Sequence, residues 1–161
     1  MNLTFCGILL SLLLAFPAGA QQGVSFGGLS QDVSLPVEIE SDTLTVRNAD
    51  GTAVFSGDVV AMQGDLRLSA PVVQVEYAPD GRNIARLHAS GGVMIASATD
   101  AAEAREAVYT IDTGTVVMTG DVLLTQGQNA LAGQKLRLDL KNGTGVMEGR
   151  VSTTLQPQKG R

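Results

Sequence analysis

Few residues of this chain have the types and spacing that chemistry requires. The only histidine, His88, stands in ARLHASG, and the only cysteine, Cys6, stands in MNLTFCGILL near the start. A nucleophile needs a base beside it, and a single distant pair of this kind supplies none. Carboxylates alone can cleave a glycosidic bond, and two sets present themselves: Glu38, Glu40 and Asp42, and Glu103 with Glu106. Carbohydrate clefts usually present aromatic platforms, however, and the chain has two Tyr and no Trp. Glu38, Glu40 and Asp42 alternate opposite Val37 and Ile39, so one solvated strand face accounts for them. GQNALAGQK at 127–135 lacks the glycine spacing and the Gly-Lys-Ser/Thr ending of a phosphate loop. Neither Cys/His clusters nor acidic calcium-loop patterns occur. The residues point to no catalysis, no cofactor, no metal and no nucleic-acid partner.

The elements that would position these residues belong to one domain of 161 residues with 44% hydrophobic and only 4% aromatic content, so its interior is aliphatic. Residues 1–20, MNLTFCGILLSLLLAFPAGA, combine an apolar run from Ile8 to Phe16, Pro17, and the small residues Ala18, Gly19 and Ala20. This reads as a secretory signal cleaved before Gln21. The run is shorter than the roughly 20 residues of a spanning helix, although the segment has no Lys or Arg before it. Cys6 would leave with the signal, and the remaining fold would have no disulfide. Residues 21–36, QQGVSFGGLSQDVSLP, have the composition of a flexible leader. The domain proper is expected at 37–155, with a loose tail at 156–161 that Pro157 helps to keep out of a sheet.

Within that domain a phrase recurs: GDVVAMQGD at 57–65 returns as GDVLLTQGQ at 120–128. A G-x-V triplet recurs at related places in the sequence, at Gly57, Gly91, Gly120 and Gly149. Each is preceded by a hairpin-turn dipeptide: Asp50-Gly51, Asp80-Gly81, Thr113-Gly114 and Asn142-Gly143. The strand before each turn slips its apolar phase by one residue, as where Leu68 and Ala70 give way to Val73 and Val75. A bulge or sharp bend beside a small residue explains the slip. After each turn, Phe55, Ala89, Met118 and Met147 form one apolar column, and Val59, Val93, Val122 and Val151 another. Only Ala98 to Ala107 has helix-favouring composition, and it aligns with strand in the other units. The expected fold is all-β: an open, rolled antiparallel sheet built from four repeats of about 30 residues.

The runs VEIESDTLTV, AVFSGDVVAMQGDLRLSAPVVQVEY and AVYTIDTGTVVMTGDVLLTQGQNALAGQKLRLDL, together with the signal, resemble the LptA (OstA-like) family of periplasmic lipopolysaccharide-transport proteins. That resemblance implies an open β-jellyroll that binds the acyl chains of lipid A. It also implies head-to-tail assembly into a bridge between an LptC-like inner-membrane protein and an LptD-like outer-membrane protein. By the matching motifs, the lipid-binding positions would be Val37, Ile39, Ile95, Tyr109 and Ile111. Tyr109 reads equally as an ordinary core tyrosine, and on composition alone the apolar columns read as a closed core, the lipid groove being what the resemblance implies. The alternatives are a membrane-anchored LptC-like relative, which would keep residues 1–20, and a structural β-repeat without a lipid ligand.

Charge bears on assembly. Residues 21–80 contain nine carboxylates against two arginines, and residues 133–161 six bases against two acids. If the units stack in order, one end of the rod is acidic and the other basic. The edge near Val37–Ser41 is then expected to accept the strand near Gly149–Leu155 of the next copy.

Overall fold

The computed structural model describes residues 24, 25 and 27–157, so the expected signal segment and residues 158–161 lie outside the described residues. The described residues form one antiparallel sheet of eleven strands and no α-helix. The strands are β1 (Val24–Ser25), β2 (Glu38–Glu40), β3 (Thr43–Arg47), β4 (Thr52–Gln63), β5 (Leu66–Tyr77), β6 (Ile84–Ala96), β7 (Asp100–Thr110), β8 (Thr115–Gln126), β9 (Asn129–Asp139), β10 (Thr144–Glu148) and β11 (Ser152–Thr154). From β4 to β10 each strand pairs with its successor in the chain. At one end β2 and β3 both pair with β4; at the other β10 and β11 both pair with β9, and β1 adds two residues to β10.

The long strands are bent, and the bends fall on the G-x-V triplets. Register shifts set Gly57 and Asp58 of β4, and Gly120 and Asp121 of β8, opposite single residues of their neighbours. Both residues of each pair at 57/58, 91/92, 120/121 and 149/150 have positive φ. Two residues in this conformation opposite one, a surplus of a single residue, turn the strand sharply without breaking the ladder on either side. Opposite each bulge the neighbouring strand has no extra residue, and its inward phase changes there: Leu68 and Ala70, then Val73 and Val75, are all buried.

Each bent strand thus contributes to two leaves. One leaf buries the cross-strand row Ala53, Val75, Leu87, Tyr109, Val116 and Leu138; the other buries Ala61, Leu68, Ile95, Ala102, Leu124 and Leu131. These rows belong to one hydrophobic cluster, so the leaves face each other across an aliphatic interior. Ala98 to Ala107 lies in β7 and its flanking turn, because alternate alanines there fill the buried row between β6 and β8. Of the expected valine column, Val59, Val93 and Val122 are buried, but Val151 is 49% exposed. Val151 sits between β10 and β11 at the end of the sheet, where no further strand covers it.

The leader differs from its expectation over residues 28–36. It runs across the slot between the free lips of the two leaves, with Leu29 only 1% exposed and Val33 packed against the core. The Gln31 N–H donates to Leu140 C=O on one lip (2.8 Å). The Gln63 side chain on the other lip donates to Val33 C=O (3.0 Å) and Leu35 C=O (2.8 Å). A glycine- and serine-rich composition favours flexibility, but apolar side chains that reach a slot and backbone groups that find partners override it.

Candidate functional site

The interior between the leaves is the candidate site. Its residual void, about 10 Å³, is lined by Val37, Gln63, Leu87, Ile95, Tyr109 and Val116, among others. A space of that size holds about one water; the leaves are closed on each other and on the leader.

Of the five positions expected at a lipid, three meet at this void: Val37, Ile95 and Tyr109. Ile95 is fully buried on β6, and Val37 stands half-buried just before β2. Ile39, opposite Ala61 on the edge strand β2, and Ile111, just past β7, are half-buried against the same core but do not line the void. Tyr109 is 3% exposed, so its ring is core rather than rim, and its hydroxyl donates to Gln63 Oε1 at 2.6 Å. Burial pushes the Tyr109 hydroxyl up to about 12, which keeps it a neutral donor.

Gln63 is the residue the sequence reading missed. It is 3% exposed and follows Val59 and Ala61 in the inward phase of β4, a signal hidden by its place beside the Gly64 turn. Its carbonyl accepts from Tyr109 on the other leaf and its amide donates twice to the leader, so one polar side chain ties three parts of the fold. Leu29, Leu87 and Val116 were also passed over. Leu87 and Val116 flank Tyr109 in the same cross-strand row.

The apolar lining continues to the open end of the sheet. On the edge strand β3, Leu44 pairs with Phe55 and Val46 with Ala53, so both face the interior side, yet they are 52% and 60% exposed because no strand lies beyond them. At the opposite end Leu155 is 68% exposed, and β11 has β9 as its one neighbour.

The groups considered for catalysis stay apart from this interior. His88 is half-buried on β6 and faces Glu106 at 3.6 Å. Glu38, Glu40, Asp42 and Glu103 are exposed. A broader open cleft, about 660 Å³, lies at the bend beside Pro71, Gly92, Met94 and Glu103.

Comparison with known proteins agrees with this architecture. The crystal structure of LptH, described as the LptA homologous periplasmic component of the conserved lipopolysaccharide transport device from Pseudomonas aeruginosa, superposes with a TM-score of 0.70. At 19% identity, the match covers 79% of this chain and 99% of LptH and speaks for the shared fold. An uncharacterized protein of Rhizobium meliloti (strain 1021) is 29% identical over 158 residues, covering 91% of this chain and 85% of its own length. Residues 38–144 match the family described as LptA/(LptD N-terminal domain) LPS transport protein, and the chain belongs to that family.

Proposed function

We propose that the chain is a periplasmic carrier of lipopolysaccharide, exported by removal of residues 1–20, whose two leaves part to hold the acyl chains of lipid A. Val37, Ile39, Ile95, Tyr109 and Ile111 line the path of those chains. Copies pair head to tail, the β2/β3 edge of one against the β11 edge of the next, in a row that ends on LptC-like and LptD-like partners. The observation that supports this best is the aliphatic interior running out to exposed Leu44 and Val46 at an unpaired edge. An edge so apolar is an aggregation hazard unless another chain covers it. A twelve-methylene chain gains roughly 10 kcal/mol on leaving water, at about 0.8 kcal/mol per methylene, so the lipid needs a continuous apolar path through an aqueous gap.

The tight closure of the leaves favours one rival, a structural β-repeat with a dry core. Photo-crosslinkers at Ile39, Ile95 and Ile111 in cells separate the two. Lipopolysaccharide adducts at these positions, and none at outward-facing Glu38, support the carrier. Blank lanes at all three refute it.

A further inference from the structure

The interior of this chain is occupied by the chain itself. Residues 28–36 lie across the slot, Leu29 is buried to 1% exposure, and the void that remains holds about one water. Gly28 sits against the Thr99–Asp100 turn so closely that a Cβ there would overlap the Thr99 and Asp100 side chains. Toward its end the segment makes an Asp32 turn, whose carboxylate accepts from Ser34 N (3.0 Å) and Ser34 Oγ (2.6 Å). It then meets Gln63 through the carbonyls of Val33 and Leu35.

The attachment is of a kind that can be exchanged. Among the described residues, Leu29 is the leader's one fully buried large side chain; Val33 and Val37 are half-buried and Leu35 is exposed. The grip is polar, with two amide donors of Gln63 on two backbone carbonyls and one leader N–H on Leu140. If the segment leaves, Gln63 keeps its acceptor bond from Tyr109 but has two buried donors without partners, a costly state in an aliphatic slot. A ligand that brings both hydrocarbon and carbonyl oxygens restores both losses. Acyl chains joined through ester or amide linkages are that ligand: their carbonyls take the places of Val33 and Leu35, and their methylenes the place of Leu29.

We infer that residues 28–36 are a displaceable strap that occupies the groove of the empty protein, and that Gln63 hands its amide donors from the strap to the acyl-linkage carbonyls of the incoming lipid. The inference rests on the carrier reading and adds to it a competitor within the chain and a residue that selects for acyl carbonyls. The same exchange connects loading with assembly: β1, just upstream of the strap, pairs with Thr144 and Gly145 on the terminal strand β10. Release of the strap frees that edge for another copy.

The test combines amide hydrogen exchange with equilibrium binding of radiolabelled lipopolysaccharide to the purified chain. Saturating lipopolysaccharide is expected to speed exchange of the 29–35 amides at least tenfold while β6 and β8 stay protected. Leu29→Asp, which removes the plug without touching the leaves, is expected to tighten apparent affinity by about tenfold or more, since a competitor that closes the site lowers apparent affinity by the open fraction. Gln63→Leu is expected to loosen the strap of the free chain to a similar degree and to gain less affinity, because the lipid also loses its donors. Lipid binding with the strap amides still protected, or a Leu29→Asp affinity equal to or weaker than wild type, overturns the strap while the carrier reading stands. Failure of both the wild-type and Leu29→Asp chains to bind overturns the carrier reading and the strap with it. If Leu29→Asp does not fold, exchange in free Gln63→Leu decides: strap amides as slow as wild type overturn the inference.

Discussion

Gly120 is where a single substitution most directly tests the bent-strand architecture. Its φ is +86°, and a Cβ added there would lie 2.9 Å from Arg105 Cδ and 3.0 Å from Arg105 Cβ. Holding an L-residue in the left-handed region costs about 1–2 kcal/mol, with β-branched valine at the upper end. Crowding adds about 1–2 kcal/mol of overpacking, because the Arg105 Cβ is fixed to the backbone of β7 and cannot swing aside. The exposed Arg105–Asp121 ion pair contributes little of its own. Gly120→Val is therefore expected to destabilise by about 2–4 kcal/mol, a fall in thermal midpoint of about 5–15 °C for a domain of this size. Gly92→Ala is the control: its φ is +99° but nothing lies within 4 Å of the added Cβ, so strain acts without crowding. Midpoints are compared by circular dichroism at low protein concentration, so that assembly does not shift them. An unchanged midpoint for Gly120→Val would refute the requirement for glycine at the bulge. Equal losses for Gly120→Ala and Gly92→Ala would refute the contribution of Arg105.

Three further outcomes are expected. Tyr109→Phe leaves Gln63 Oε1 without its donor and is expected to cost about 1–2 kcal/mol in denaturant unfolding; because the Tyr109 pKa rises from 10.0 to about 12 on folding, its contribution is complete below pH 10 and lost as pH rises toward 12, so the variant should lose part of the wild-type alkaline transition. The Asp80 carboxyl is held below the usual carboxylate range by the Arg82 and Asn83 N–H groups and the Asn83 side chain, so its stabilisation is present above the unfolded value and disappears as pH falls through the depressed one; Asp80→Ala should flatten the acid limb of a midpoint-against-pH plot, and an unaltered limb would contradict this. Removal of residues 149–161 deletes β11 and is expected to reduce head-to-tail assembly in sedimentation, with the intact chain also weakened by salt; assembly indifferent to both would rule out the edge and charge arguments.

Sequence alone determined the parts of this protein that arise from neighbours along the chain. The period-two alternation, the Asp-Gly and Asn-Gly reversals and the phase slips at Ala70 and Ala104 were all legible, because each is a local steric or packing requirement of a strand. The alanine-rich stretch of β7 was legible only by alignment with the other units, since its own composition points toward helix. Tertiary structure decided what depends on the two leaves meeting. Tyr109 and Gln63 are 46 residues apart and become partners only when the sheet rolls. Leu44 and Val46 have the phase of core residues but lie exposed, because burial needs a strand beyond them and they sit on the last one. The leader reads as loose because its glycines and serines specify no conformation of their own; the slot between the lips, which exists only after the sheet has bent, gives Leu29 a place to be buried and the backbone its hydrogen-bond partners.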